Sequence, residues 1–502
     1  MQGNHRIGRA AIPLALHAYA MAQFAQQRRP AQGRITVAVA GAGWGWRDER
    51  DSQDGSGYEL YFKLSLYRNP WLRMPSTVHQ IDLNAARLSA MLLDARARTK
   101  ELIRDLDGER LLGPRLATVN PPLWELGHLG WFQEYWCLRR KASGHVSQSI
   151  LADADALYDS ARVAHATRWD LRLPSLAATQ SYLEEVLARV LNRLAGGDWN
   201  NDLAYFAELA PLHEDMHGEA FWVTRQTLSY PAPSLGVPPQ APWGLLTGDV
   251  EIPGGLFLLG ARHDTGFVFD NEKWAHEVVL EPFAIARTPI TNAQFATFVG
   301  NAGYRRPELW SSAGWEWRLN TPAEAPVYWK RRDGRWWMRH FDELVPLPEH
   351  LPVMHINWFE ADAWCRWAGR RLPTEAEWER AAAGGLDHRY PWGNLPPEPG
   401  RANLDGQHNG PTSVSAFASG DSEAGCRQML GNVWEWTADW FQPYPGFVRD
   451  PYAEYSEPWF SDHKVMRGGC FATRSRLIRN TWRNFYTPDR RDVFAGFRTC
   501  AR

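Results

Sequence analysis

Cysteine is scarce in this chain: five residues in 502, an odd number, with no two in a CxxC pair. That excludes a disulfide framework and a zinc–thiolate site and points to a reducing cytoplasm. An excess of either charge is also missing, with 55 basic against 57 acidic residues and a formal net charge of -2. A nucleic-acid or anionic-membrane surface as the main partner is therefore not expected. Long apolar runs are lacking too. The nearest approach, between Ala10 and Ala25, is too short and too interrupted for a membrane span. Tryptophan, by contrast, is abundant at 27 residues, many beside glycine and polar residues rather than in periodic runs, which predicts a loop-rich fold filled by large rings.

The length implies two or more domains. Residues 1–77 read as an extension. Ala20-Met-Ala22 would make a poor signal-peptide cleavage site, and the preferred reading is an unstructured or mis-called start ahead of Met74. Residues 78–228 carry four helical patterns: one from about Asp82 with Leu88, Met91, Leu92 and Ala95 on one face, one around His128, one capped by Ser175 and stopped at Gly196-Gly197, and one around His213. A four-helix bundle is expected. Residues 229–245, with Pro231, Pro233, Pro238, Pro239 and Pro242, read as an extended linker. From 246 to 502 the texture is short runs broken by Gly, Pro, Asn and Trp. Helices are expected only near Asn292 to Phe298, near Phe359 to Trp367 and after Thr374, whose partner Glu377 completes a capping box, so this part is α+β.

The chemistry concentrates in Pro211-Leu-His-Glu-Asp-Met-His-Gly-Glu219. His213 and His217 stand four residues apart on a helical stripe with Phe206, Leu209 and Leu212, so both imidazoles can address one ion. His128 shares a similar stripe with Trp124, Trp131, Phe132 and Tyr135. Buried neutral imidazoles need partners, and three on facing stripes favour a shared metal over three separate hydrogen bonds. Imidazole suits iron, zinc, copper and nickel alike.

Four segments of the second part, Ile252-Pro-Gly-Gly-Leu-Phe257, Arg371-Leu-Pro-Thr-Glu-Ala-Glu-Trp-Glu379, Gly431-Asn-Val-Trp-Glu-Trp436 and Val465-Met-Arg-Gly-Gly469, resemble the formylglycine-generating-enzyme fold, a variant of the C-type lectin fold. With His128 and the HxxxH pair, the first part resembles the DinB-like domain that precedes this fold in the ergothioneine-synthase family of non-haem iron enzymes. Tyr444-Pro-Gly-Phe447, Asp450-Pro-Tyr-Ala-Glu-Tyr-Ser456, Arg483-Asn-Phe-Tyr486 and Phe494-Ala-Gly-Phe-Arg-Thr-Cys500 resemble the selenoneine-synthase branch. The resemblance implies ferrous iron on His128, His213 and His217. It also implies dioxygen, hercynine, and a selenosugar or a thiol donor as small-molecule substrates. Asn484 matches the asparagine that helps hold the hercynine carboxylate. Phe485-Tyr486 replaces a Trp-Asp pair, so the negative partner for an amino-acid ammonium is missing at Tyr486. Met216 replaces a glutamine that contacts hercynine, and Arg168 and Arg172 lie near the arginines that bind a donor carboxylate. Tyr444 is the candidate proton donor, with Tyr452 and Tyr455 also open.

Three other readings compete. His213-Glu-Asp-Met-His217 matches HExxH, but a zinc protease needs a third ligand downstream, and no histidine follows before His263. A formylglycine-generating enzyme needs a copper-binding cysteine pair, for which only Cys470 and Cys500 come late enough. A non-catalytic lectin-like binding module would leave the histidines as structure. Ergothioneine-type sulfur transfer remains the alternative within the family.

Overall fold

The computed structural model describes the backbone of residues 76–502, with side chains from residue 84 onward, apart from residues 142, 198–199, 238–243, 245 and 385–386. The extension before residue 76, including the Met74 start, and the linker prolines Pro238, Pro239 and Pro242 thus lie outside the described residues.

Four long helices come first: α1 (Ser76–Ile103), α2 (Pro122–Glu134), α3 (Leu176–Ala195) and α4 (Asn201–Leu228). The first begins about six residues earlier than the apolar pattern from Asp82 predicts. Proline is tolerated in the first turn of α2 because its missing N–H would have no intrahelical acceptor there. Ser175 Oγ accepts from Ala178 N–H (3.2 Å) ahead of α3, as expected, and Asn200 Oδ1 accepts from Leu203 N–H (2.7 Å) to open α4. A single turn of π-helix, Tyr135–Arg139, continues α2. The four helices meet at Arg96 of α1. Its guanidinium donates to Glu214 of α4 (2.9 and 3.2 Å), Gln133 of α2 (2.9 Å) and the Leu183 carbonyl of α3 (2.6 Å).

The second half is built from short strands and long loops. One sheet has the order β1 (Asp249–Ile252), β4 (Phe283–Ala286), β13 (Cys500–Ala501), β8 (Arg370–Arg371); another runs β11 (Arg483–Tyr486), β10 (Lys464–Arg467), β9 (Trp434–Trp440), β12 (Ala495–Gly496). A hairpin, β2 (Gly255–Leu259) with β3 (His276–Leu280), and a three-stranded meander, β5 (Trp329–Arg332), β6 (Arg335–His340) and β7 (Glu343–Pro346), complete the strands. Helices α5 (Asn292–Gly300), α7 (Trp358–Trp367) and α8 (Glu375–Ala383) fall where the sequence places them. The Thr374 box is present, with Thr374 Oγ1 accepting from Glu377 N–H (3.1 Å) and Glu377 Oε2 accepting from Thr374 N–H (2.7 Å). Helix α6 (Ser312–Asn320) is an addition, opened by Ser311, whose side chain accepts from Gly314 N–H. Its sequence, Ser-Ala-Gly-Trp-Glu-Trp, lacks an apolar stripe, so periodicity does not reveal it.

The recurrent segments of this half turn out to be its ionic and aromatic centre. Trp378, Trp434 and Trp436 are fully buried. Glu435 accepts from Trp378 Nε1 (2.8 Å) and pairs with Arg498 through both oxygens (2.6 and 2.8 Å). Arg467 and Arg483 share Glu375 (2.8 and 2.7 Å), and Arg467 also pairs with Glu379, so the two buried cations face two carboxylates. Gly468 has φ +101, and a Cβ there would stand 2.7 Å from the Met429 carbonyl, which is why this position admits glycine alone. Among the described residues no helix is long and apolar enough to cross a membrane. Residues 91–192 and 200–502 form one compact unit that contains every contact discussed below.

Candidate metal centre

Helices α2 and α4 bring their histidines together. The ring centroids of His128 lie 5.2 Å from His213 and 5.0 Å from His217, and those of His213 and His217 are 4.5 Å apart. One ligand atom from each falls within 4.8 Å of the others. The i, i+4 spacing aims two rings from one helix, and the crossing of α2 supplies the third.

Hydrogen bonds set the tautomers. His128 Nδ1–H donates to the Tyr158 carbonyl (2.8 Å) and His217 Nδ1–H donates to Glu125 Oε1 (2.6 Å), so the Nε2 lone pair of each is free. His213 is held by its face, stacked on Phe132 at 3.5 Å with planes 4° apart. Burial, aided by the neighbouring His217, pushes the His128 pKa down to about 3, and burial lowers that of His213 well below the usual imidazole value. Both rings are therefore neutral near pH 7. Neutral imidazoles with nitrogen lone pairs on one side are a donor set that could hold a borderline divalent metal ion. The glutamate of the HExxH pattern is not free for general-base work: Glu214 is buried, paired with Arg96 and accepting from Thr99 Oγ1 (2.8 Å). Cys470 sits beside Thr473 and Glu219, whereas Cys500 lies on β13 near Cys365, so no cysteine pair of the copper type forms.

The tyrosine expected as proton donor is not beside the histidines. Tyr444 is buried under Arg483 (4.2 Å from the ring) and against His276 (4.7 Å). Tyr452 is the one placed there, 6.0 Å from His213 and 5.0 Å from Phe132 between centroids, with Tyr455 6.2 Å further on. Burial raises the Tyr452 pKa, so its phenol keeps its proton.

Strand β11 separates the expected substrate residues. Alternation puts Asn484 and Tyr486 on one face and Phe485 on the other, where it stacks on Phe441 (4.0 Å). Phe485 thus packs into an aromatic cluster with Phe441 and His463 rather than facing the histidines. Asn484 Oδ1 accepts from Phe485 N–H (2.8 Å), and Tyr486 lies under Arg490 (4.7 Å), which pairs with Asp492 (2.7 Å). Met216 precedes His217 on α4 and is half-buried. Arg168 belongs to the histidine region: its guanidinium lies 3.8 Å from the centre of the Trp124 ring, and that ring stacks on His128 at 5.1 Å. Arg172 is exposed.

Two carboxylates escape sequence reasoning. Glu125 orients His217; the signal is an acid one helical turn before His128, among the apolar residues of the first half of α2. Glu219 accepts from Trp434 Nε1 (2.6 Å) and the Thr473 hydroxyl, and burial raises its pKa. It follows His217 by two residues and ties α4 to β9.

Residues 235–502 match the sulfatase-modifying factor enzyme 1-like domain, and residues 91–219 match the DinB superfamily. The chain is 38% identical over 422 residues to the hercynine oxygenase of Mycobacterium tuberculosis, covering 82% of this chain and 98% of that protein. The hercynine oxygenase of Mycolicibacterium thermoresistibile is 36% identical over 430 residues, covering 82% and 94%. A formylglycine-generating enzyme of Thermomonospora curvata is 34% identical over 310 residues, covering 54% of this chain and 99% of that enzyme. A helical domain carrying three converging histidines, joined to a sulfatase-modifying-factor-like domain and matched along nearly the whole length of these relatives, makes this chain an oxidoreductase of the hercynine oxygenase family.

Proposed function

We propose that this enzyme uses ferrous iron and dioxygen to join C2 of the hercynine imidazole to the selenium of a selenosugar. The observation that carries the reading is the cluster of buried His128 and His213 with half-buried His217, whose ligand atoms lie within 4.8 Å of one another. Iron held by these three imidazoles would supply redox chemistry toward dioxygen and keep positions open for a soft selenolate. Forming the C–Se bond removes two protons and two electrons from the substrates, and oxygen accepts them.

The protein's own part is orientation and proton control. Tyr158 and Glu125 fix the His128 and His217 rings, and Phe132 fixes His213. The Tyr452 phenol delivers a proton toward oxygen without adding charge to a dry site, a role its position supports better than that of Tyr444. Asn484 and Met216 contact hercynine, and Tyr486 turns a ring and hydroxyl toward the donor sugar. Residues 78–228 form the metal-binding part and 246–502 cover the substrates, joined by 229–245. Five free buried cysteines support a reducing cytoplasm.

The test is mass spectrometry of the product when anaerobically iron-loaded enzyme is given oxygen, hercynine and a mixture of selenosugar, thiosugar, cysteine and γ-glutamylcysteine. The selenium adduct of hercynine is expected to dominate. Preference for γ-glutamylcysteine would replace this reading with ergothioneine-type sulfur transfer.

A further inference from the structure

The loop that brings Tyr452 to the histidines is held at both ends by one side chain. Asp270, 1% exposed, lies 180 residues before Asp450; its Oδ2 accepts from Asp450 N–H (3.2 Å) and its Oδ1 accepts from the Ser456 hydroxyl. Tyr452 falls between these two anchors. The buried Ser456 oxygen also accepts from Asn271 Nδ2 (3.0 Å), which directs the hydroxyl proton at Asp270. At the other anchor, Asp450 accepts from the Tyr205 hydroxyl (2.9 Å) and, through both oxygens, from Lys273 Nζ (2.6 and 2.7 Å). Tyr205 stands about two turns before His213 on α4, so this end of the loop is tied to the helix that carries two of the imidazoles. The Tyr452 ring itself meets Phe132, Trp136 and His213 (5.0, 6.1 and 6.0 Å between centroids). Burial of ring surface is non-directional, so the reach of the phenol follows from where the backbone on either side is fixed.

We propose that Asp270 is a positioning residue for Tyr452: by holding both ends of residues 450–456, its carboxylate sets the reach of the phenol toward the histidine site. The proposal rests on the reading of Tyr452 as proton donor given above. Asp270→Ala frees both ends of the loop, and Ser456→Ala frees one. Asp270→Asn keeps both, because the amide oxygen accepts from Asp450 N–H while the amide nitrogen donates to Ser456 Oγ. Displacing a reacting group by about 1 Å costs about 10²-fold in rate, so small movements of this loop are legible in turnover.

Hydrogen exchange of a peptide spanning Asp450 in the metal-free protein reads the first anchor directly. Exchange is expected to quicken by about tenfold or more in Asp270→Ala and to stay near the wild-type rate in Asp270→Asn. Oxygen consumption by iron-loaded enzyme, given hercynine and the donor mixture named above, supplies kcat and the hercynine KM. Asp270→Ala should lower kcat by about 10–10²-fold with iron content and KM within about twofold of wild type, Ser456→Ala should lower it less, and Asp270→Asn should recover most of the loss. In the Tyr452→Phe background, Asp270→Ala should cost no more than about a further twofold, since no phenol remains to be placed. A merely structural role would carry its full loss into that background. Unchanged exchange or kcat in Asp270→Ala, or the same loss in both backgrounds, overturns the positioning role. Should Asp270→Ala fail to fold, Ser456→Ala decides by the same comparison. Full turnover in Tyr452→Phe overturns the proton donor and this proposal with it, an outcome distinct from Asp270 variants that keep their rate while Tyr452→Phe loses it.

Discussion

Arg96→Met removes the side chain that joins all four helices. Glu214, 4% exposed, would keep only the Thr99 hydroxyl (2.8 Å) after losing two contacts to the guanidinium at 2.9 and 3.2 Å. The Leu183 carbonyl and Gln133 Oε1 would each lose a donor as well. Removing one partner of a buried ion pair costs about 3–5 kcal/mol, most of it from the charge left behind. The single variant is therefore expected to lose ~4 kcal/mol. Replacing both partners, Arg96→Met with Glu214→Leu, removes the stranded charge, and such apolar replacements are often close to neutral. The double variant should be more stable than Arg96→Met by about 2 kcal/mol or more, a coupling well outside additivity. Urea unfolding of the metal-free protein, followed by far-UV ellipticity, measures all four corners of the cycle. If Arg96→Met costs under about 1 kcal/mol, or the two changes add, the guanidinium is not holding the bundle together and the reasoning fails.

Alanine at His128, His213 or His217 should abolish iron binding, read by metal analysis after reconstitution, and retention of full occupancy in two of the three would refute the triad. Tyr452→Phe is expected to slow turnover by about 10²–10⁴-fold with hercynine affinity kept, whereas Tyr444→Phe leaves the rate unchanged; the reverse pattern would restore Tyr444 as the proton donor. His355, buried between Tyr328 (4.7 Å) and Phe494 (5.3 Å), has its pKa lowered from 6.5 to about 3 by burial and then by the Arg339 charge. Below pH 6.5 the unfolded chain takes up a proton that the folded chain refuses until about pH 3, so stability falls as pH drops through that window and is unaffected above it. Between pH 7 and pH 5 the His355 share is about 2 kcal/mol, and His355→Asn, which tolerates the positive φ of 61° there, should lose that part of the slope in urea midpoints.

Much of this was readable from sequence because it is local. Histidines at i and i+4, a Ser cap before α3 and the Thr374–Glu377 box depend on neighbours within one turn, and the structure contains each of them. What escaped depends on pairing across long stretches. Tyr444, Tyr452 and Tyr455 lie within twelve positions, and which of them meets His213 is decided by how their loop crosses α2 and α4. Phe485 was expected with Asn484 and Tyr486, but a strand sends alternate side chains to opposite faces, and only the pairing with β10 says that β11 is a strand. Arg168 could be located because Trp124 carries it, while Arg172, one helical turn away in number, has no such anchor.

A buried ion pair that α4 makes with a distant part of the chain also bears on how the protein is made. Asp215, between two of the histidines, is buried against Arg476, 261 residues further along the chain, which donates to it from two nitrogens. At roughly 5–20 residues per second, a ribosome needs roughly 13–50 s to travel from one to the other. Throughout that interval the nascent helices already carry all three imidazoles, yet Asp215 and the wall containing Tyr452 have no counterpart. A metal ion captured then would meet the imidazoles without the surroundings they have in the finished chain. Late arrival of the segment carrying Arg476 means that the helix supplying two of the imidazoles completes its packing only when the chain is nearly finished.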